Sequence, residues 1–187
     1  MARLIKVLEY SHLGGAEILI VRYPDISQEI DDIIHSLRDL GKTKVSREMT
    51  KRGRRLYAPK EMNQRFKAEF RRRGYRELRD YYTIEVPGHD AKIEGAYKQI
   101  DFVKDKVLVE VQFGKYPFMF YDLAKFQYFY NENKADVGVE IVPCHAMQQQ
   151  MSSGVSYGEH LVWDIERLKR HFPAVPIKVI LLDAVED

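Results

Sequence analysis

Residues Val107-Leu-Val-Glu-Val-Gln112 form an apolar, β-branched run that is otherwise a poor place for polar groups. Its composition fits a strand. Side chains two apart on a strand share a face, so Glu110 and Gln112 look one way while Val109 and Val111 look the other. Asp105-Lys106 reads as a turn, and folding back there lays Ile100–Val103 beside Val107–Gln112. Asp101 then sits across from the face that carries Glu110 and Gln112. Two carboxylates and a carboxamide oxygen converging at a sheet edge suit a hard divalent cation, with Mg²⁺ the expectation, because it prefers oxygen ligands and keeps several waters. On spacing alone, a solvated strand face with a surface carboxylate pair fits equally well.

The charge is distributed unevenly. Between Lys42 and Arg79 stand 15 of the chain's 30 Lys/Arg and only 4 of its 28 Asp/Glu, a local balance of +11 that leaves −9 on the remainder. Phosphate neutralisation by a nucleic-acid binder needs such a block, since each contacted phosphate releases condensed counterions. Cations at a helix C-terminus are favoured by the helix dipole whatever the function, but that accounts for Arg71-Arg-Arg73 and not for the rest.

A chain of 187 residues with 45% apolar content is long enough for one well-buried domain. No run approaches the ~18–20 apolar residues of a membrane span, and Met1-Ala-Arg-Leu-Ile-Lys lacks the apolar core of a signal peptide. The expectation is a soluble, cytoplasmic protein. The single Cys144 excludes an internal disulfide and reads as a buried small hydrophobe, so thiol chemistry is not expected.

Strands and helices alternate along the chain. Leu4–Tyr10 and Glu17–Tyr23 read as strands joined by a Gly14-Gly15 turn. Ser27 reads as the N-cap of a helix to Leu40, with Ile30, Ile33, Ile34 and Leu37 on one face and Gly41 as the stop. Thr43–Leu56 is polar, basic and without apolar periodicity, which predicts an exposed loop with some helical character. Pro59 opens a helix to Arg73 with an apolar stripe of Met62, Phe66 and Phe70 and a basic opposite face. Tyr81–Val86 reads as a short strand, followed by a turn at Pro87-Gly88-His89-Asp90 and by Lys92–Tyr97 leading into the hairpin. Pro117 starts a helix dense in aromatics (Phe118, Phe120, Tyr121, Phe126, Tyr128, Phe129, Tyr130), whose surplus beyond an ordinary core is a candidate dimer surface. A buried strand at Asp136–Pro143, a helix at Gly158–His171 and a closing strand at Ile177–Leu182 complete an α/β pattern with a mixed central sheet flanked by helices.

The string Asp101-Phe-Val-Lys-Asp-Lys-Val-Leu-Val-Glu-Val-Gln-Phe-Gly-Lys-Tyr116 resembles the catalytic hairpin of type II restriction endonucleases of the BglII and BstYI kind, a branch of the PD-(D/E)XK nucleases. Leu8-Glu-Tyr-Ser-His-Leu13, Thr50-Lys-Arg-Gly53 with Leu56-Tyr57, Asp136-Val-Gly-Val-Glu-Ile-Val-Pro143 and Met151-Ser-Ser-Gly-Val-Ser-Tyr157 resemble the BstYI pattern in the same order. The resemblance therefore covers nearly the whole chain. It implies the restriction endonuclease fold, one catalytic and DNA-binding domain over residues 1–187 with a basic DNA-clasping segment at about 42–79, and a homodimer that clasps a palindromic site in double-stranded DNA and cuts each strand with Mg²⁺.

Carried over residue by residue, Asp101 and Glu110 are the implied metal ligands, and Gln112 stands where most of the superfamily has lysine. A neutral carboxamide positions a water or accepts a hydrogen bond but does not deprotonate it. Glu77 is the candidate for a fourth, helix-borne polar residue. Lys115, Ser152 and Ser153 match positions that reach the outer base pair. Lysine donates to either purine and serine donates or accepts, so a degenerate outer position is expected, and the resemblance implies a central GATC flanked by purine and pyrimidine, as RGATCY. Without the resemblance, Lys115 reads as a phosphate contact and Ser152-Ser-Gly154 as a turn. Lys44, Arg47, Lys51, Arg52 and Arg54 are the candidate backbone contacts, which set register and not specificity. His12 reads as structural, while His145 and His160 flank the Ser-rich loop. Two other classes share these features: a repair or junction-resolving nuclease on the same site, and a DNA-binding module that has lost activity.

Overall fold

A computed structural model describes residues 2–186. Its centre is a six-stranded sheet in the order β1-β8-β7-β6-β5-β4, formed by β1 (Ala2–His12), β8 (Ile177–Glu186), β7 (Val137–Pro143), β6 (Val107–Val111), β5 (Lys92–Lys104) and β4 (Arg76–Glu85). Strands β6, β7 and β8 run parallel, and β1, β5 and β4 are antiparallel to their neighbours. The sheet is mixed, as the alternation of elements predicts. Every residue of β6 and of β7 is buried, the pattern of parallel strands covered on both faces by crossover helices.

The hairpin that carries the site forms where the sequence places it. Lys104 pairs with Val107 around the Asp105-Lys106 turn, and Asp105 takes a left-handed conformation (φ 51°) that aspartate tolerates better than most residues. Further out, β5 pairs with β4 as a long ribbon that is exposed toward its tip. Strand β4 begins at Arg76, five residues before the start expected from its apolar residues. Its alternate positions face solvent, so hydrophobicity marks only part of it.

Near the N-terminus the structure differs from the sequence pattern in two places. Glu17–Tyr23 is not a strand but lies in helix α1 (Gly15–Arg22). Leu13 (φ 49°) and Gly14 (φ 73°) swing the chain off the end of β1, and only Leu19 of the apolar run Ile18-Leu-Ile-Val21 is fully buried. A short apolar run does not distinguish strand from helix by periodicity. Helix α2 (Pro24–Ser36) starts at Pro24 instead of after Ser27 and stops four residues short of Leu40, because Leu40 bridges back to Ala2 at the sheet edge. Its inward face is nevertheless Ile30, Ile33 and Ile34, followed by a buried Leu37.

Thr43–Leu56 folds as a two-stranded ribbon, β2 (Lys44–Val45) with β3 (Arg55–Leu56), closed by a 3-10 turn at Met49–Lys51. Helix α3 (Pro59–Arg72) buries Met62, Phe66 and Phe70 as expected. Helix α4 (Tyr116–Asn131) packs on β7, the short α5 (His145–Gln149) follows β7, and α6 (Gly158–Leu168) covers β8 and ends three residues before His171.

A Cβ on Gly15 would lie 2.3 Å from the main-chain carbonyl carbon of Ile177, so α1 touches the sheet backbone directly. Gly15→Ala is therefore expected to destabilise the fold by at least the ~1–3 kcal/mol of ordinary overpacking. A denaturant midpoint equal to that of the native protein would show that α1 is not held in this contact.

Candidate active site

The β5–β6 pairing sets Phe102 against Val109, so the neighbouring Asp101 and Glu110 meet at the open end of the hairpin. The Asp101 amide donates to Glu110 Oε1 at 3.4 Å, a weak bond that nonetheless fixes their adjacency. Asp101 is exposed, whereas Glu110 retains 3% of its surface. One carboxylate thus faces the solvent while the other is anchored inside.

The anchor comes from α4. Lys125 places its Nζ 2.5 Å from Glu110 Oε1 and 2.7 Å from Asp122 Oδ1. Asp122 also accepts a hydrogen bond from Gln112 Nε2 at 3.0 Å through Oδ2. Next door, the parallel register of β6 and β7 aligns Glu140 with Glu110, and Glu140 is fully buried with neither carboxyl oxygen hydrogen-bonded among the described residues. The site therefore rests on three buried carboxyl groups and one ammonium.

These groups hold their protons unusually well. Burial, then the negative charges of Asp122 and Glu110, hold the Glu140 carboxyl well above the usual carboxylate range. Burial likewise raises Glu110 and Asp122, against the pull of Lys125. For Lys125, burial favours loss of the proton, but the charges of Glu110 and Asp122 outweigh it and the net shift is upward. Lys125 stays charged.

Gln112 makes no hydrogen bond to Asp101 among the described residues. Its nitrogen bonds Asp122, and a Cβ on Gly114 would lie 2.4 Å from its Oε1. Glu77 lies on strand β4, which corrects the expectation of a helix-borne residue. It reaches Asp101 indirectly: Gln99 Nε2 donates to Glu77 Oε2 at 2.9 Å and to Asp101 Oδ1 at 3.3 Å, while Arg79 ties Glu77 to Gln99. The helix that faces Asp101 is α3. Lys60, Asn63, Gln64 and Lys67 line a cavity of about 280 Å³ with Asp101, and Lys67 and Arg71 line an adjoining one of about 220 Å³ with Asp101 and Glu77. Their three-to-four-residue spacing opposite Met62, Phe66 and Phe70 is the legible sign of that basic face.

Among the described residues no group of three or more His, Cys, Asp or Glu is arranged to hold a metal ion. Asp101 and Glu110 are the residues that would hold a cation here. That fits a hard ion, which is commonly bound through one or two carboxylates, waters and substrate phosphate. No hydrogen bond reaches Glu110 Oε2 among the described residues, so this oxygen has a lone pair to offer. The donor set fits.

The other candidate residues form one neighbouring surface. Lys115 caps α4, and the Ser156 amide donates to the Gly114 carbonyl at 2.8 Å, which ties the 152–156 loop to the start of that helix. Lys44 donates to Ser152 Oγ, and the Ser153 amide donates to the Glu48 carboxylate at 3.1 Å. Lys51 bonds the carbonyls of Gln149 and Met151, so it locks the β2–β3 ribbon to the loop, whereas Arg47, Arg52 and Arg54 are exposed. His12 is buried, with Nε2 2.6 Å from the Pro173 carbonyl, in keeping with a structural role. His160 stacks on Tyr116 at 4.0 Å.

The raised carboxyl groups set a pH dependence of stability. Where the folded protein keeps protons that the unfolded chain has released, stability is full below the unfolded pKa near 4.5 and falls as pH rises through the folded values. The melting temperature of metal-free protein in a chelator is expected to fall between pH 5 and pH 8. Glu140→Gln, which mimics the protonated carboxyl, should flatten that slope. An unchanged slope would mean that Glu140 is not the group that retains its proton.

The family model of restriction endonuclease BglII/BglIII matches residues 7–182 of this chain. No curated protein matches the sequence. Among solved structures, the chain is similar to restriction endonuclease BglII complexed with a DNA 16-mer, with a TM-score of 0.75 at 24% identity over 98% of this chain and 79% of that one. Free BglII gives 0.66 at 21% identity over 98% and 81%. At these identities the likeness is one of fold, a mixed sheet flanked by helices, and restriction endonucleases of this kind use divalent metal ions. The match over nearly the whole chain carries the assignment: the protein belongs to the BglII/BglIII family of restriction endonucleases, type II site-specific deoxyribonucleases.

Proposed function

We propose that this restriction endonuclease acts in the cytoplasm as a Mg²⁺-dependent homodimer on a GATC-centred palindrome of the RGATCY type, with the whole chain serving as one catalytic and DNA-binding domain. The observation that carries the reading is the cleft between α3 and the hairpin, where Asp101 faces Lys60 and Lys67. Carboxylate on one wall and ammonium groups on the other suit a cation and a phosphate bound together.

Asp101 and Glu110 would hold the cation, whose chemistry when bound is activation of a water and offset of the charge that builds on the scissile phosphate. Lys60 and Lys67 hold the phosphate against Asp101. Gln112, with its nitrogen committed to Asp122, orients its surroundings but takes no proton. Glu77 acts at one remove, through Gln99, by steadying Asp101. Lys115, Ser152 and Ser153 reach the outer base pair from a loop already braced against α4. Arg47, Arg52 and Arg54 contact phosphates directly, while Lys44 and Lys51 present the ribbon that carries them.

A palindrome read by two identical subunits calls for a two-fold dimer. Exposed Phe118 and Tyr121 on α4 supply apolar surface for it.

Digestion of a long unmethylated DNA with and without Mg²⁺, with sequencing of the fragment ends, tests the reading. Discrete Mg²⁺-dependent fragments centred on GATC are expected, and random nicking would point to a nuclease that follows DNA structure. Asp101→Ala should lower cleavage by at least ~10²–10³-fold, the scale of losing one transition-state charge stabiliser. DNA binding should survive or tighten in that variant, since a negative charge facing phosphate is gone, and cleavage at the native rate would remove Asp101 from the site.

A further inference from the structure

We propose that Lys125 and Asp122 of helix α4 are positioning residues for the metal site, Lys125 by clamping one oxygen of Glu110 so that the other faces the cleft, and Asp122 by anchoring both Lys125 and Gln112. The inference rests on the proposed role of Glu110 as a metal ligand.

The geometry is specific. Lys125 reaches Glu110 Oε1 at 2.5 Å, the Asp101 amide approaches the same oxygen, and Oε2 receives no hydrogen bond among the described residues. A carboxylate held by one oxygen cannot rotate freely about its last torsion, so its second oxygen has a fixed direction. Lys125 is itself held: Asp122 Oδ1 lies 2.7 Å from its Nζ, and the two residues stand one helical turn apart. The other oxygen of Asp122 accepts from Gln112. One helical turn of α4 therefore fixes both Glu110 of β6 and Gln112 just beyond its end. Lys125 has 14% of its side-chain surface exposed and Asp122 has 3%, so neither contact is diluted by solvent as a surface pair would be. With its ammonium engaged by two carboxylates, Lys125 is not a group that contacts substrate.

Partners that orient metal ligands leave a recognisable signature when removed: affinity for the metal falls more than the rate at saturating metal. Two readouts separate these effects. One is the Mg²⁺ concentration for half-maximal cleavage against the maximal rate. The other involves no turnover: the Ca²⁺ concentration that half-saturates any Ca²⁺-induced gain in affinity for a GATC-centred duplex, followed by fluorescence anisotropy.

Lys125→Met is expected to raise the half-maximal Mg²⁺ concentration by about tenfold or more, the usual cost of losing such a partner, and the Ca²⁺ concentration in parallel. Lys125→Arg, which keeps the charge, should recover most of the loss. Asp122→Asn preserves volume and should shift both concentrations in the same direction while also lowering the maximal rate, because Gln112 loses its charged acceptor. If Lys125→Met does not fold, Asp122→Asn decides the matter. Metal requirements that stay unchanged, or that fall because Lys125 had been competing with the cation, would overturn the proposal. Glu110→Gln and Asp101→Ala serve as controls: if both leave the metal responses intact, it is the assignment of the metal to those carboxylates that fails.

Discussion

A charged side chain in the middle of a fully buried strand is the constraint around which this protein is built. Every residue of β6 is buried, and one of them is Glu110. Parallel pairing to β7 brings Glu140 alongside, and α4 adds Asp122. An isolated carboxylate in such a place pays several kcal/mol of desolvation. Here the demand is met in two ways. Lys125 offsets part of the charge of the two carboxyl groups it touches, and Glu140 holds its proton well above the usual carboxylate range. A core of valine and leucine at these positions would cost less, so the arrangement gives up stability for a carboxylate fixed in one orientation.

The sheet divides its labour along the same line. Its parallel half is buried, covered by helices, and supplies the anchored Glu110 with Gln112 just past the end of β6. Its antiparallel outer half, β5 and β4, is partly exposed and supplies Asp101 with the Gln99, Glu77 and Arg79 chain behind it. The boundary between the halves is the turn at Asp105, and the cleft opens where α3 crosses the exposed side. The candidate site is therefore assembled from one buried wall and two more accessible ones, which suits a substrate as large as a DNA backbone better than a closed pocket would.

Much of this was legible because it depends on local chemistry. The hairpin could be read from β-branched alternation broken by Asp105-Lys106, and α3 from the spacing of Met62, Phe66 and Phe70. The Glu17–Tyr23 segment reads as a strand because four consecutive apolar residues carry no period. The helix there is selected by tertiary contact, through Gly15 against Ile177. The cluster behind the site was illegible for a related reason. Asp122 and Lys125 look in sequence like ordinary polar positions on an aromatic helix, and Glu140 like a surface residue on a strand. Only the register of β6 against β7 and the crossing of α4 turn them inward together. Glu77 does not read as a strand residue because β4 begins in polar residues that lack a strand signal.

The basic block between Lys42 and Arg79 acquires a finer meaning from its partners. Several of its cations serve the fold: Arg65 donates to the Arg38 and Asp39 carbonyls, Arg72 and Arg73 bind Glu69, Arg79 binds Glu77, and Lys44 and Lys51 fasten the ribbon to the 149–152 loop. Arg47, Arg52, Arg54, Arg55, Lys60, Lys67, Arg71 and Arg76 make no side-chain hydrogen bond or ion pair among the described residues. These free charges occupy the ribbon, the cleft-facing side of α3 and the start of β4. Four of them, Lys60, Lys67, Arg71 and Arg76, line the cavities beside Asp101. A surplus kept only for solubility would be scattered at no cost, whereas like charges gathered around a cleft repel one another and weaken the fold slightly. Their concentration there is explained by a polyanion that neutralises them, and under the proposed role of Asp101 the carboxylate on the opposite wall would mark where along that polyanion the backbone is cut.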